Sequence, residues 1–115
     1  MIEEKSGGKY LQVIDINDLR RCYEQNKIII SVHAQERLRQ RNIKQKDIMS
    51  CVMTGEIIEQ YPEDFPFPSC LIFGRIQDGR VIHVVMSYEG TFGRIITAYI
   101  PNTEKFKDDL KTRRC

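Results

Sequence analysis

The sequence predicts an α+β fold: two to three N-terminal helices packed on a four-stranded antiparallel β-meander, closed by a short basic C-terminal helix. Three observations predict it. As far as Gly55 the apolar residues recur at helical spacing, with Asp15 and Ser31 placed as N-caps. Beyond Gly55 the period changes to the alternation of strands, in runs divided by turn residues. The chain has 115 residues, 41% of them hydrophobic, which suffices for one core between two layers and leaves no room for a second domain.

Residues 1–9, with Ser6-Gly7-Gly8, read as a flexible arm, and residues 10–115 as a single α+β domain. Met1 to Lys9 is charged and glycine-containing, unlike a signal peptide, and no apolar run approaches the roughly 20 residues of a membrane span. The expectation is a cytoplasmic protein without membrane association. Cys22, Cys51, Cys70 and Cys115 lie far apart with no C-x-x-C pair, and only two histidines accompany them, a spacing unlike that of a zinc site. They read as free thiols, and no metal or cofactor is expected.

Ile16, Leu19 and Tyr23 fall on one face of a first helix that starts at Asp15 and stops near Asn26. Ile28-Ile29-Ile30 is too short and too β-branched to prolong it and leads into Ser31, the cap of a second helix. There His33, Arg37 and Arg41 recur every four residues and stack along one side. Such a stripe suits a phosphate, and it equally suits ion pairing that holds the helix down. Relative to the buried Ala34–Leu38 stripe, Arg41 is expected to be half-buried and paired, Arg37 at the rim, and His33 the freest. In the first helical turn an imidazole stays neutral and fit to accept a proton. Ile48, Cys51 and Val52 mark a third helix ending at Gly55.

Glu56 to Tyr61 reads as a strand, and Pro62 to Pro68 interrupts it. Tyr61, Phe65 and Phe67 suit stacking on bases, or a lid over the core edge. Asp78-Gly79 reads as a two-residue hairpin turn that sets Phe73 opposite Val84, Leu71 opposite Met86, and Gly74 opposite His83. A second hairpin through Thr91 sets Met86 opposite Ile96, Val84 opposite Ala98, and His83 opposite Tyr99. Leu71, Phe73, Ile82, Val84, Met86, Ile96, Ala98 and Ile100 then face the helices. Gly74, His83, Thr97 and Tyr99 share an open face, with Gly74 leaving the His83 ring bare to a ligand.

Residues 1–54 carry 10 basic and 7 acidic groups, residues 55–103 carry 3 and 6, and residues 104–115 carry 5 and 3. Two basic ends flank an acidic middle, a polarity that gives one face to an anion or merely solvates the surface. Metal-independent RNA cleavage needs a base, an acid and cations for the phosphorane. His33 or His83 would be the base, Tyr99 or the other histidine the acid, and Arg37, Arg41 or Arg80 the charge, with Gly74, Arg80 and Tyr61 toward the substrate. The bland reading of His83 is a hydrogen-bonded strand histidine. A phosphate-binding glycine loop, a G-x-S-x-G elbow and an HExxH motif are all lacking.

His33-Ala34 with Arg37 and Arg41, Asp47-Ile48, Gly55 to Glu59, Tyr61-Pro62, Asp64, Pro66, Pro68-Ser69, Gly74, Gly79-Arg80, His83-Val84-Val85 and Thr97 to Pro101 together resemble the bacterial domain-of-unknown-function family 4258, over about residues 28–103. That family is similar, distantly, to the BrnT-like and RelE-like type II toxins. The resemblance implies a toxin-like ribonuclease fold and a cognate antitoxin-like partner of the zinc-finger or helix-turn-helix kind. Here Lys44 stands where the pattern has Ser or Thr, Asn42 where it commonly has Gly, and the sheet is acidic where RelE-like enzymes are basic. Two functions follow as expectations: a toxin-like, metal-independent endoribonuclease acting on RNA, or a non-catalytic protein-binding module using the open sheet face.

Overall fold

Three helices and five strands succeed one another in a computed structural model that describes residues 13–114; the arm expected at 1–9 lies outside them. The order is α1 (Ile16–Glu24), β1 (Ile28–Ile30), α2 (Val32–Gln40), α3 (Gln45–Thr54), β2 (Glu56–Tyr61), β3 (Ser69–Arg75), β4 (Val81–Tyr88) and β5 (Gly93–Tyr99). The Asp15 carboxylate accepts the Asn17 N–H at 2.9 Å and starts α1, and Asn26 takes a left-handed turn (φ 61) after it. Ser31 Oγ accepts the Ala34 N–H at 3.0 Å and starts α2. At α3 the capping residue is Lys44, and the Asp47 carboxylate reaches back to its N–H at 2.9 Å. The helix ends at Gly55, where any Cβ would lie 2.2 Å from the Phe73 carbonyl oxygen.

The sheet is mixed and five-stranded, in the order β1-β5-β4-β3-β2, where the sequence predicted four antiparallel strands. The added strand is Ile28–Ile30, which runs parallel to β5 with Ile28 beside Gly93 and Ile30 beside Ile95. Two helices and three strands separate these partners in the chain, so no local turn signals the pairing. The three-isoleucine run is β-branched, and Gly93, whose N–H donates to the Lys27 carbonyl at 3.0 Å, lets it approach.

The β3–β4 hairpin is one residue out of the expected register. Gly79 N–H bonds the Ile76 carbonyl and Ile76 N–H bonds the Arg80 carbonyl, both at 2.9 Å, with Gly79 at φ 91. The loop is therefore three residues, Gln77 to Gly79, with glycine in the left-handed position of a bulged hairpin rather than in a two-residue turn. Phe73 consequently faces His83, Leu71 faces Val85, and Gly74 faces Ile82. A one-residue slip turns every side chain over. Ile72 and Gly74 join the helix side, and Leu71 and Phe73 leave it.

At β4–β5 the expected pairs Val84–Ala98 and His83–Tyr99 form. A bulge then sets Met86 against Ile95 instead of Ile96, which is left 43% exposed. On the helix side Cys70, Ile72, Ile82, Val84, Met86, Ile95 and Ala98 are buried with Leu19, Leu38, Ile48, Cys51 and Val52 from the three helices. At roughly 25 cal/mol per Å² of apolar surface, this two-layer contact dominates the folding energy.

The expected C-terminal helix is absent. Residues 102–114 form turns joined by a bridge between Phe106 and Arg113. Asn102 Oδ1 accepts the N–H groups of Glu104 and Lys105, and Asp109 accepts those of Lys111 and Thr112, so side chains take the bonds a helix would need. This segment packs on the second sheet face, against His83 and Phe73, and the open face expected there is covered.

Candidate functional site

The His33–Arg37–Arg41 stripe divides as the helix geometry foretold. Arg41 ends α2 half-buried, its Nη1 donating to the Ala98 carbonyl at 2.7 Å and to Thr97 Oγ1 at 3.2 Å. It anchors α2 to β5. Arg37 and His33 are exposed, and His33 sits in the first turn of α2. That helix belongs to the layer on one side of the sheet, while His83 is buried on the other. The two histidines do not share a site.

Gly74 and Arg80, expected to face a substrate, make their contacts within the fold. Gly74 faces α3, where a Cβ would lie 2.4 Å from Cys51 Sγ, so its emptiness is filled by a helix and not offered to a ligand. The Arg80 guanidinium bonds Asp78 at 2.7 Å and the Asn42 carbonyl at 3.0 Å, tying the hairpin to the α2–α3 link. Tyr61 donates its hydroxyl to Glu59. Phe65 is 94% exposed and therefore lids nothing. Burial pushes the Cys51 and Cys70 thiols up to about 12, which removes them as thiolate nucleophiles. Among the described residues, no three His, Cys, Asp or Glu lie close enough to hold a metal.

What the structure gathers instead is a cluster on the second sheet face around His83. Its Nε2 lies 2.7 Å from the Leu110 carbonyl oxygen. A carbonyl only accepts, so Nε2 carries the proton and Nδ1 is the acceptor, 3.3 Å from the Tyr99 hydroxyl. The ring meets Phe106 edge-on at 4.6 Å between centroids, with Tyr99 at 5.4 Å and Phe73 at 6.2 Å. Burial lowers the His83 pKa, against the smaller opposing effects of the Leu110 bond and the Glu59 charge, and keeps the ring neutral at pH 7. Burial likewise raises Tyr99 and keeps it protonated.

Beside this ring, β2 contributes two carboxylates. Glu59 accepts both guanidinium arms of Arg113, at 3.0 and 3.1 Å, as well as the Tyr61 hydroxyl. Burial pushes the Glu59 carboxyl up, but the Arg113 and Tyr61 bonds outweigh it and hold the group below the usual range. Glu56 accepts the Lys111 ammonium at 2.7 Å, and that ammonium stands 4.7 Å over the Phe73 ring. Arg113 stands 4.7 Å over Phe106. A cavity of about 350 Å³ opens alongside, lined by Tyr99, Asn102, Lys105, Phe106 and Arg113 among others.

Sequence reasoning placed His83, Tyr99 and Tyr61 here and missed Glu56, Glu59, Phe106, Leu110, Lys111 and Arg113. The signal for the missed group was the charge polarity: the acidic middle and the basic end of the chain meet at this face. Chemically, the face holds a stretch of the chain's own backbone: it seats the Phe106 ring against an imidazole, donates one N–H to the Leu110 carbonyl, and pairs two carboxylates with two cations.

A family model described as Domain of unknown function (DUF4258) matches residues 30–100. Comparison with curated proteins and with solved structures finds no match. The matched span runs from the last residue of β1 just past the end of β5 and stops short of the segment that covers the second face.

Proposed function

The chain belongs to the DUF4258 family, with more than half of its length inside the match, and from that premise we propose that it is a non-catalytic, cytoplasmic protein-binding module whose second sheet face takes up a peptide segment. The observation that carries this reading is that the face already holds one: residues 106–113 lie on it through Phe106, the Leu110 carbonyl, Lys111 and Arg113. The partner this reading favours is the antitoxin-like protein, zinc-finger or helix-turn-helix, that the family resemblance implies. The acid–base residues argue in the same direction. His83 is sealed by Phe106, Arg41 is committed to β5, and the Lys111 and Arg113 cations are taken up by Glu56 and Glu59 rather than left for a phosphate.

A second reading, a toxin-like endoribonuclease, is favoured by one observation: His83, Tyr99, Glu59 and Arg113 lie in one cluster. In that reading neutral His83 takes the proton of an RNA 2′-hydroxyl as its oxygen bonds phosphorus. The bond from phosphorus to the 5′-oxygen breaks, Tyr99 gives that oxygen a proton, and Arg113 offsets the phosphorane charge.

One set of proteins separates the two. Wild type, His33→Ala and His83→Ala are purified, incubated with end-labelled RNA, and tested for co-purification with the co-expressed product of the adjacent gene. The expected result is intact RNA in all three and a complex that Glu59→Lys disrupts. Cleavage by the wild type that His83→Ala abolishes establishes the second reading, and absence of any complex overturns the first.

A further inference from the structure

We infer that residues 102–114 are an exchangeable occupant of the second sheet face, and that the ligand which replaces them is a peptide with an aromatic anchor followed by two cations. This rests on the protein-binding reading and names the chemistry of the partner segment.

The segment is held by few contacts. It has no helix or strand of its own, only one isolated bridge and a few turn bonds. Its only deeply buried side chain beyond Pro101 is Phe106, 2% exposed. Of the two ion pairs to the sheet, Lys111–Glu56 is solvent-exposed and contributes little, while Arg113–Glu59 is bidentate and its arginine half is open to screening by salt. Leu110, which supplies the carbonyl to His83, sits at φ 60, a backbone conformation that side-chain-bearing residues rarely adopt. One aromatic plug, one hydrogen bond to His83, two ion pairs and one cation–ring contact are few ties for thirteen residues, a segment built to open below the global unfolding energy.

Lifting the segment uncovers Glu56 and Glu59 without their cations, His83 Nε2–H without its acceptor, and the Phe73 ring. Two uncompensated carboxylates, one N–H and an aromatic floor call for a ligand bearing cations, a carbonyl and an aromatic ring. A polyanion fails the first demand. The segment's own spacing, with the cations five and seven residues after the aromatic, gives the template: Phe106, Lys111, Arg113. The covering segment lies outside the family match, and the face it covers lies within it.

The test uses the full chain and a synthetic, fluorescein-labelled peptide of residues 102–114. In the wild type the internal segment competes, so the apparent affinity falls by the fraction of time the face is free. Phe106→Ala in the full chain is expected to bind the peptide about tenfold more tightly than the wild type, as is the surface double variant Lys111→Glu/Arg113→Glu, which leaves Phe106 in place. Adding Glu59→Lys is expected to abolish binding, and thermal melts confirm that each variant folds. Equal binding by wild type and both variants, or binding by none, overturns the inference. A wild-type dimer in sedimentation, with peptide affinity unchanged among the variants, assigns the face to a second copy and overturns it too. No partner protein enters the experiment, so failure to find a complex and failure of exchange are read separately.

Discussion

Arg41 donates to the Ala98 carbonyl at 2.7 Å, and through that bond the end of α2 is fastened to the far end of β5, beyond the reach of the short strand β1. Arg41→Ala leaves the carbonyl and Thr97 without the charged donor, a loss of about 1–3 kcal/mol. Thermal unfolding is expected several degrees lower, whereas Arg37→Ala, on the same helix side but exposed, changes stability by less than about 0.5 kcal/mol.

Gly74→Ala forces a methyl group to within 2.4 Å of Cys51 Sγ and 2.9 Å of Cys51 Cα. Because the second contact is backbone, rotating the thiol does not relieve it. Overpacking of this kind costs about 1–3 kcal/mol. Urea unfolding is expected to show a lower midpoint at unchanged slope, with Cys51→Ala in the same chain recovering only part of the loss.

Arg20 closes the open end of α3, its Nε donating to the Val52 carbonyl at 2.9 Å and its Nη2 to the Gly55 carbonyl at 3.1 Å. Cations at helix C-termini are stabilising by about 0.3–1 kcal/mol beyond the bonds themselves. For Arg20→Ala, hydrogen exchange is expected to accelerate in the last turn of α3 more than in β4, and an equal acceleration in both would count against a local clamp.

His83 has a pKa in the folded chain below the ordinary 6.5, chiefly through burial. The unfolded chain then binds more protons in this range, so stability is fullest above the unfolded value and is lost as pH falls through the folded one. Urea midpoints measured from pH 7.5 down to 5.5, above the range where carboxylates titrate, are expected to drop for the wild type. His83→Gln, which cannot titrate, is expected to give a flatter profile.

The helices were legible because caps and periodicity are local: Asp15, Ser31 and Gly55 stand where they were read, and Ala34 with Leu38 oriented the His33–Arg41 stripe correctly. Strand pairing was legible only where one hairpin reported it. Val84–Ala98 and His83–Tyr99 came out right, but a bulge at Ile96 and an unlooked-for parallel partner at Ile28 have no short-range signature. The candidate site was half legible for the same reason. His83, Tyr99 and Tyr61 lie on the sheet, whereas Phe106, Lys111 and Arg113 arrive from a segment whose turns are set by Asn102 and Asp109 and whose destination is set by charge. A basic tail reads the same whether it is a solvated helix or a cover.

The loop from Gln77 to Gly79 governs more than a bend, because its length is a parity. With one residue fewer, the seven positions of β3 would exchange sides. Cys51 would meet Phe73 where it now meets the bare backbone of Gly74, and His83 would lose one of its three aromatic neighbours to a glycine. No residue's chemistry would have changed. The imidazole's surroundings are thus inherited partly as a count of peptide units, and for other chains with this hairpin, the length of this loop is a first indicator of whether the face beneath is built alike.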